Sequence, residues 1–230
     1  MGQRSQLYIR YKNKKNLVAM HLQWNYGYYM INRTYQLLDF VSKNAKAEYS
    51  NLREKNFDIA NSGSRREDIE MLQNLIQMNT TIGSYVKGID LIKEEYEFCN
   101  KDNSKTFKMN PNNQDNNNGI LVIDIQENGK VKYGLGGGYE EVGTFVDDFK
   151  MISAKEYFRL SEKDYEDKYK LKNKDEELYK IVQKQIKFID DNFELLTDEE
   201  YKEIFDTEYE YENCIKPKDL EELQKENNND

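Results

Sequence analysis

The chain has 230 residues, of which 33% are charged and 37% hydrophobic, and its formal net charge at pH 7 is −9. Twelve glycines and two prolines are few for a loop-built all-β protein, and 18 tyrosines with 10 phenylalanines supply apolar area that disordered chains lack. The sequence has no run of about 18 apolar residues and no apolar leader segment, which predicts a cytoplasmic globular protein without a membrane span.

The N-terminal segment has the pattern of a β-hairpin followed by a helix. Residues 6–11 alternate between apolar and polar positions, with Leu7 and Ile9 on one face, which predicts a half-buried strand. After a polar, basic tip, residues 17–24 alternate again and predict the second strand of the hairpin. Apolar residues then recur at helical spacing from Asn25 to about Lys46, which predicts a long helix that covers the hairpin.

The middle of the chain predicts further helices and then a boundary. Residues 65–79 have helical spacing, whereas residues 80–99 suit a buried helix that two glycines weaken, so helix and strand both stay open there. The Asn-rich stretch 101–118 predicts a loop or linker. This linker would separate an N-terminal unit, residues 1–100, from a C-terminal unit, residues 119–230.

The C-terminal unit begins with a second predicted hairpin. Residues 120–125 and 131–133 have strand patterns and are joined by a turn that contains Asn128-Gly129, a strong hairpin signal. The glycine-rich run 134–138 predicts a flexible loop or bulge, because it lacks the residues that make a phosphate-binding loop specific.

Helices are predicted over the rest of the C-terminal unit. Capping boxes at Ser153–Glu156 and Thr197–Glu200 predict two helix starts, and a last short helix is predicted at Pro217. The elements together predict an α+β fold. Its order would be an N-terminal β-hairpin packed on a long helix, a helical middle, a second β-hairpin, and a helical, acidic C-terminal third.

Charge is distributed unevenly along the chain. Residues 1–138 carry 19 Lys/Arg and 15 Asp/Glu, a net +4, whereas residues 139–230 carry 15 and 28, a net −13. Complementary charges on one chain predict a homodimer or, as the alternative, docking of the two regions within one molecule.

The acidic segment from Asp190 to Glu212 is the candidate binding surface. It holds eleven carboxylates against the single cation Lys202, with aromatic residues between them. A rigid surface of this kind can imitate the phosphate charge of nucleic acid and occupy a basic groove, whereas the alternative is a solvated helix whose aromatic residues face the core. The candidate partner-binding residues are Asp198, Glu199, Glu200, Glu203, Asp206, Glu208, Glu210 and Glu212.

The pattern of reactive residues favours a binding protein and not an enzyme. His21 is the only histidine, and no nucleophile or orienting partner is visible beside it in the sequence. Cys99 and Cys214 are isolated and lack zinc-site spacing, so no catalytic residue, metal or cofactor is expected. The alternative is a metal-dependent nuclease centred on Asp124, whose carboxylate would have to converge with others on magnesium.

Two N-terminal motifs carry a resemblance. Gly2–Tyr11 (GQRSQLYIRY) and Gln23–Gly27 (QWNYG), with Met30 and Arg33, resemble small uncharacterised proteins encoded by phages and prophages of low-GC Gram-positive bacteria. Accessory phage proteins of this kind often inhibit host defence, as anti-CRISPR proteins do. By this analogy we expect the chain to bind and inhibit a host defence nuclease or effector, and the remaining alternative is a structural or interaction protein with no inhibitory role.

The second motif also has a physical interpretation. It lies where the second predicted strand meets the long helix, so Trp24 can close the core of the hairpin unit. Asn25 is predicted to cap the helix, and Gly27 to permit a close approach of the backbone.

Overall fold

The computed structural model describes residues 4–11, 16–23, 25–45, 95–97, 105–113, 119–126, 128–136, 150–169 and 176–211. These residues form a mixture of helices and strands, which confirms the predicted α+β class. The elements in chain order are β1 (Arg4–Tyr11), β2 (Asn16–Gln23), α1 (Tyr28–Ala45), β3 (Thr106–Lys108), a 3-10 helix (Pro111–Asn113), β4 (Ile120–Ile125), β5 (Val131–Gly136), α2 (Ala154–Tyr169), α3 (Glu176–Asn192), β6 (Glu194–Leu195), α4 (Asp198–Asp206) and β7 (Glu208–Glu210).

Five strands form a central mixed sheet in the order β2-β1-β4-β5-β6. β1 pairs antiparallel with β2, and β4 with β5, which confirms both predicted hairpins. β1 also pairs in parallel with β4, from Gln6 opposite Ile120 to Tyr11 opposite Ile125. The segments on either side of residues 101–118 therefore contribute neighbouring strands to one sheet.

Helices α1, α2 and α3 cover one face of the central sheet. Helix α1 follows its prediction closely, and its buried side chains Met30, Leu37 and Leu38 belong to the same cluster as Leu7 and Ile9 of β1. Burial of each such side chain stabilises the fold by about 1.5–3 kcal/mol. Helix α3 adds buried residues to this cluster but leaves two large apolar side chains exposed. Its buried residues are Val182, Ile186 and Ile189, and its exposed ones are Leu178 and Ile181.

The opposite face of the sheet is covered by α4 and by a two-stranded sheet of β3 and β7. The prediction of a half-buried strand at residues 6–11 is therefore wrong, because every residue from Ser5 to Arg10 is buried. Tyr8 points to this second layer and packs edge-on against Phe205 of α4, with ring centroids 5.1 Å apart. A strand covered on both faces needs apolar or well-paired residues at all positions, and β1 has both.

Part of the predicted Asn-rich linker has regular structure. Thr106–Lys108 forms β3 and pairs antiparallel with β7, with Phe107 opposite Tyr209. Phe107, Met109 and Pro111 are buried in this segment. The prediction that residues 101–118 form a loop or linker is therefore wrong for this part of the stretch. Its apolar side chains recur at alternate positions, so one side of the segment can be buried.

Two glycines of the second hairpin are required for different reasons. Gly129 lies in the turn with φ of +78°, a left-handed conformation that favours glycine, and its N–H donates to the carbonyl of Gln126 at 2.9 Å. Gly134 lies within β5, where an added Cβ would approach Met151 Sδ to 2.4 Å. Residues 134–136 are strand, so the predicted flexible loop is wrong for them, and residues 137 and 138 lie outside the described ranges.

Both predicted capping boxes mark helix starts. Thr197 and Glu200 form the complete reciprocal motif at α4. At α2, Ser153 Oγ accepts from the N–H of Glu156 at 3.2 Å, and the Glu156 carboxylate accepts from Arg159.

Several predictions fall on residues that the structure does not describe. These are the helices at 65–79 and at Pro217, and the segment 80–99 apart from a helical turn at 95–97. Within the described ranges no helix is long and apolar enough to cross a membrane.

Candidate functional site

The predicted partner-binding residues divide into groups. Six of them are exposed on α4 and β7, and all of these except Glu203 are called the acidic face here, namely Asp198, Glu199, Asp206, Glu208 and Glu210. Two others, Glu200 and Glu203, have carboxylates that bind cations of the central sheet and are called the inner carboxylates. Glu212 lies outside the described residues.

Buried apolar residues of α4 and β7 lie beneath the acidic face. Tyr201, Ile204 and Phe205 of α4 are buried, whereas Asp198, Glu199 and Asp206 lie on the exposed side of the helix. In β7, Tyr209 is buried while Glu208 and Glu210 are exposed, as the two-residue period of a strand requires. The described aromatic residues of the acidic segment thus pack against the core, as the alternative of a solvated helix requires. This packing fixes the positions of the carboxylates.

Two lysines lie within or beside the acidic face and reduce its negative charge. Lys202 is exposed on α4 between the acidic residues. Lys108 of β3 is also exposed and is the register partner of Glu208 on β7. The carboxylates of the acidic face nevertheless outnumber these two cations.

Four charged residues form a row across the central sheet beneath α4, called the charge row here. Arg10 on β1 is paired in register with Asp124 on β4, and Asp124 with Lys132 on β5. Lys132 is in turn paired with Glu194 on β6. Because directly paired residues point to the same face, the row alternates in sign across four strands.

The first pair of the charge row is buried and bidentate. Arg10 donates from Nε and Nη2 to the two oxygens of Asp124, at 2.7 and 3.0 Å. Burial lowers the pKa of Arg10, and the hydrogen bond and charge of Asp124 more than offset this and raise it. Arg10 Nη1 also contacts Glu203 Oε1 at 3.3 Å, so the row is connected to α4.

The inner carboxylate of Glu200 connects α4 to the other end of the row. Lys132 Nζ contacts Glu200 Oε1 at 2.5 Å, and Gln126 Nε2 donates to the same oxygen at 3.3 Å. The second oxygen accepts from the backbone N–H of Thr197 at 3.0 Å, which completes the capping box. Burial raises the pKa of Glu200, but the hydrogen bonds from Lys132 and Thr197 outweigh it and lower the pKa below its ordinary value.

The geometry around Asp124 bears on the nuclease alternative. Its side chain is fully buried, and both of its oxygens accept hydrogen bonds from Arg10. Among the described residues, no group of three or more His, Cys, Asp or Glu side chains is arranged to hold a metal ion. In this structure the Asp124 carboxylate neutralises the buried guanidinium of Arg10.

The described side chains of the two N-terminal motifs are buried, whereas Trp24, predicted to close the core, lies outside the described residues. Asn25 Nδ2 donates to Ser5 Oγ at 3.0 Å, and its Oδ1 accepts from Arg33 Nε at 3.3 Å. The prediction that Asn25 caps α1 is therefore not met, because its amide joins β1 to the helix instead. Gly27, with φ of +58°, precedes the helix start and supplies the carbonyl that accepts from the N–H of Ile31.

The first motif makes similar internal contacts. Tyr8 donates to Gln6 Oε1 at 2.7 Å, and Gln6 Nε2 donates to the carbonyl of Pro111 at 3.2 Å. The Gln6 contact and the bidentate contact of Arg10 connect β1 to segments more than a hundred positions away in the sequence. The described side chains of the motifs that carry the resemblance thus hold the layers together.

Comparisons with protein-family models, with curated proteins and with solved structures found no match to this chain.

Proposed function

We propose that the chain is a binding protein whose acidic face occupies a positively charged, nucleic-acid-binding groove of another protein. The observation that carries the proposal is the acidic face itself, five exposed carboxylates on a helix and a strand that buried aromatic residues fix to the sheet. A surface fixed before binding loses little conformational freedom when it meets its partner, which favours affinity.

Nucleic acid offers a chemical precedent for such a surface. Duplex DNA carries one negative charge per about 1.7 Å of helix axis, and its partners present grooves rich in Lys and Arg. Carboxylates at alternate positions of β7 and along α4 present repeated negative charge without a sugar or a base. A mimic of this kind steers toward basic grooves over long range and is weakened by salt.

The proposed target is a nuclease or effector of host defence. This part of the proposal rests on the resemblance of the N-terminal motifs to phage and prophage proteins, and on the use of basic grooves by enzymes that cut foreign nucleic acid. The chain would then act in the host cytoplasm, where such effectors meet phage nucleic acid. A structural or interaction protein with no inhibitory role would bind a partner and leave its activity unchanged.

A matched pair of variants tests the proposal. The site variant carries Glu199→Gln, Asp206→Asn and Glu208→Gln, and the control variant carries Glu97→Gln, Glu176→Gln and Glu177→Gln, so that both lose three negative charges. Each is used to capture proteins from bacterial lysate at low salt and at about 1 M salt, where the screening length falls to about 3 Å.

The proposal expects the wild type and the control variant to retain the same nucleic-acid-binding protein at low salt only, and the site variant to lose it. Capture of that protein by all three to the same extent would show that the acidic face is not the binding surface. Capture of a partner whose activity is not inhibited would favour the alternative of an interaction protein with no inhibitory role. Magnesium- or manganese-dependent cleavage of DNA or RNA that Asp124→Ala abolishes, while circular dichroism shows this variant to be folded, would favour the nuclease alternative instead.

A homodimer built on charge complementarity would compete for the same surface. Arg10 and Lys132, from the basic part of the chain, contact Glu203 and Glu200 of the acidic part within the molecule, which supports the folded-back monomer that the charge asymmetry also allows. Light scattering at low and high salt separates these states. A single 27.5 kDa species at low salt would leave the acidic face available to a partner, whereas a dimer that dissociates in salt would place the dimer interface there.

A further inference from the structure

We infer that Lys132 is a positioning residue of the acidic face, so that its loss weakens partner binding although it removes a positive charge. This inference rests on the proposed function and adds to it a residue of the central sheet that does not contact the partner. Lys132 lies on β5, its side chain is only 14% exposed, and its ammonium group is directed at the first turn of α4.

The contact of Lys132 is placed where it can orient the helix. Its partner Glu200 also forms half of the capping box that starts α4, so one carboxylate joins the helix start to the sheet. Asp198 and Glu199 immediately precede it in the same turn. A shift or rotation of this turn moves both of their carboxylates, because successive residues of a helix are fixed relative to one another.

The other contacts of the first turn of α4 lack a charged donor, and the other ion pair lies elsewhere on the helix. The N–H of Met151 donates to Asp198 Oδ1 in this turn, in a long hydrogen bond of 3.4 Å. Arg10 reaches α4 at Glu203, one turn later, and is committed mainly to Asp124. Gln126 donates to Glu200 but carries no charge, so its bond to the carboxylate is weaker than that of Lys132. The helix start therefore depends on Lys132 for its charged contact to the sheet.

Long-range electrostatics and positioning predict opposite results when Lys132 is removed. Lys132→Met makes the chain more negative, and charge alone would then strengthen the binding of a basic partner. If Lys132 positions the acidic face, the same substitution frees the first turn of α4 and weakens binding. The sign of the change therefore decides between the two effects.

The experiment uses the full chain and a fluorescent oligolysine peptide as the basic probe, with affinity measured by anisotropy at about 50 mM salt, where charge contacts are weakly screened. The assay temperature is set well below the melting temperature of every variant, so that a change in global stability alone leaves the dissociation constant unchanged. Lys132→Met is compared with Lys132→Arg, which keeps the charge and the donors.

We expect Lys132→Met to weaken peptide binding by at least about threefold, the scale of one partly exposed ion pair, and Lys132→Arg to stay within about twofold of the wild type. Equal or tighter binding by Lys132→Met would overturn the inference. Should that variant fail to fold, Gln126→Met removes another donor to Glu200 without any change in charge. Gln126→Met should weaken peptide binding less than the loss of Lys132 would. An unchanged affinity of Gln126→Met for the peptide would also overturn the inference.

The two proposals fail in different ways. If the site variant with three neutralised carboxylates binds the peptide as tightly as the wild type, the acidic face is not a binding surface and the proposed function fails. If that variant loses the peptide while Lys132→Met keeps it, the acidic face stands and only the positioning role is wrong.

Discussion

Arg10 and Asp124 form a bidentate ion pair between neighbouring parallel strands, with N–O distances of 2.7 and 3.0 Å, although 114 positions separate them in the sequence. The pair lies in the middle of a sheet that is covered on both faces. It joins the first hairpin to the second, and through Glu203 it reaches the helix that carries the acidic face. Disruption of this pair should therefore affect the whole fold.

Asp124→Ala should destabilise the protein by about 3–5 kcal/mol, because it leaves a guanidinium buried without its main counter-charge. Urea unfolding followed by circular dichroism measures the change in the free energy of unfolding. Asp191→Ala serves as the control, since its ion pair with Lys187 is exposed and should contribute less than about 1 kcal/mol. Equal unfolding midpoints for the two variants would contradict the structural role assigned to Asp124.

Gly134→Ala should destabilise the protein by about 1–3 kcal/mol, because the added methyl group would overlap the side chain of Met151. The same substitution in a Met151→Ala background should cost little, and the difference between the two backgrounds is the coupling energy. Gly129→Ala is the matched control, since it costs stability through its positive φ and meets no atom within 4 Å. A cost at Gly134 that is the same in both backgrounds would show that the contact is not responsible.

Glu200 should make stability depend on pH in the acidic range. Its pKa in the folded state is lowered, so its contribution is present above the pKa of the unfolded chain and is lost as the pH falls through the folded value. Glu200→Gln keeps the capping-box acceptor and removes the charge. The difference in melting temperature between this variant and the wild type should be largest near neutral pH and should shrink on acidification. A difference that does not change with pH would contradict the role of the charge.

The sequence was sufficient for the elements whose contacts are local. The hairpins β1–β2 and β4–β5, the helix α1 and the start of α4 follow from alternation, turn residues and capping boxes, all of which act within a few residues. The eight candidate acidic residues follow from charge density. Six of them are exposed, as the hypothesis of a binding surface requires.

The contacts between distant segments could not be predicted from these local sequence patterns. The parallel pairing of β1 with β4 and the antiparallel pairing of β3 with β7 depend on which surfaces meet, and sequence periodicity does not encode that. The ion pairs of the inner carboxylates are of the same kind, since the capping box marks Glu200 in the sequence but does not show that Lys132 contacts it. A signal for the charge row did exist, because Asp124 interrupts the apolar run ILVIDI and a buried charge requires a partner.

The most direct test of the acidic face is competition with nucleic acid on the protein that it captures. Labelled duplex DNA or RNA is bound to that protein, and its release is followed by anisotropy as the chain is added. We expect the wild type and the control variant to displace the nucleic acid at low salt, and the site variant, Glu199→Gln with Asp206→Asn and Glu208→Gln, to displace little of it at the same concentration. Equal displacement by the site variant, or a captured protein that keeps its nucleic acid at saturation with the wild type, would contradict the proposal that this surface occupies a nucleic-acid-binding groove.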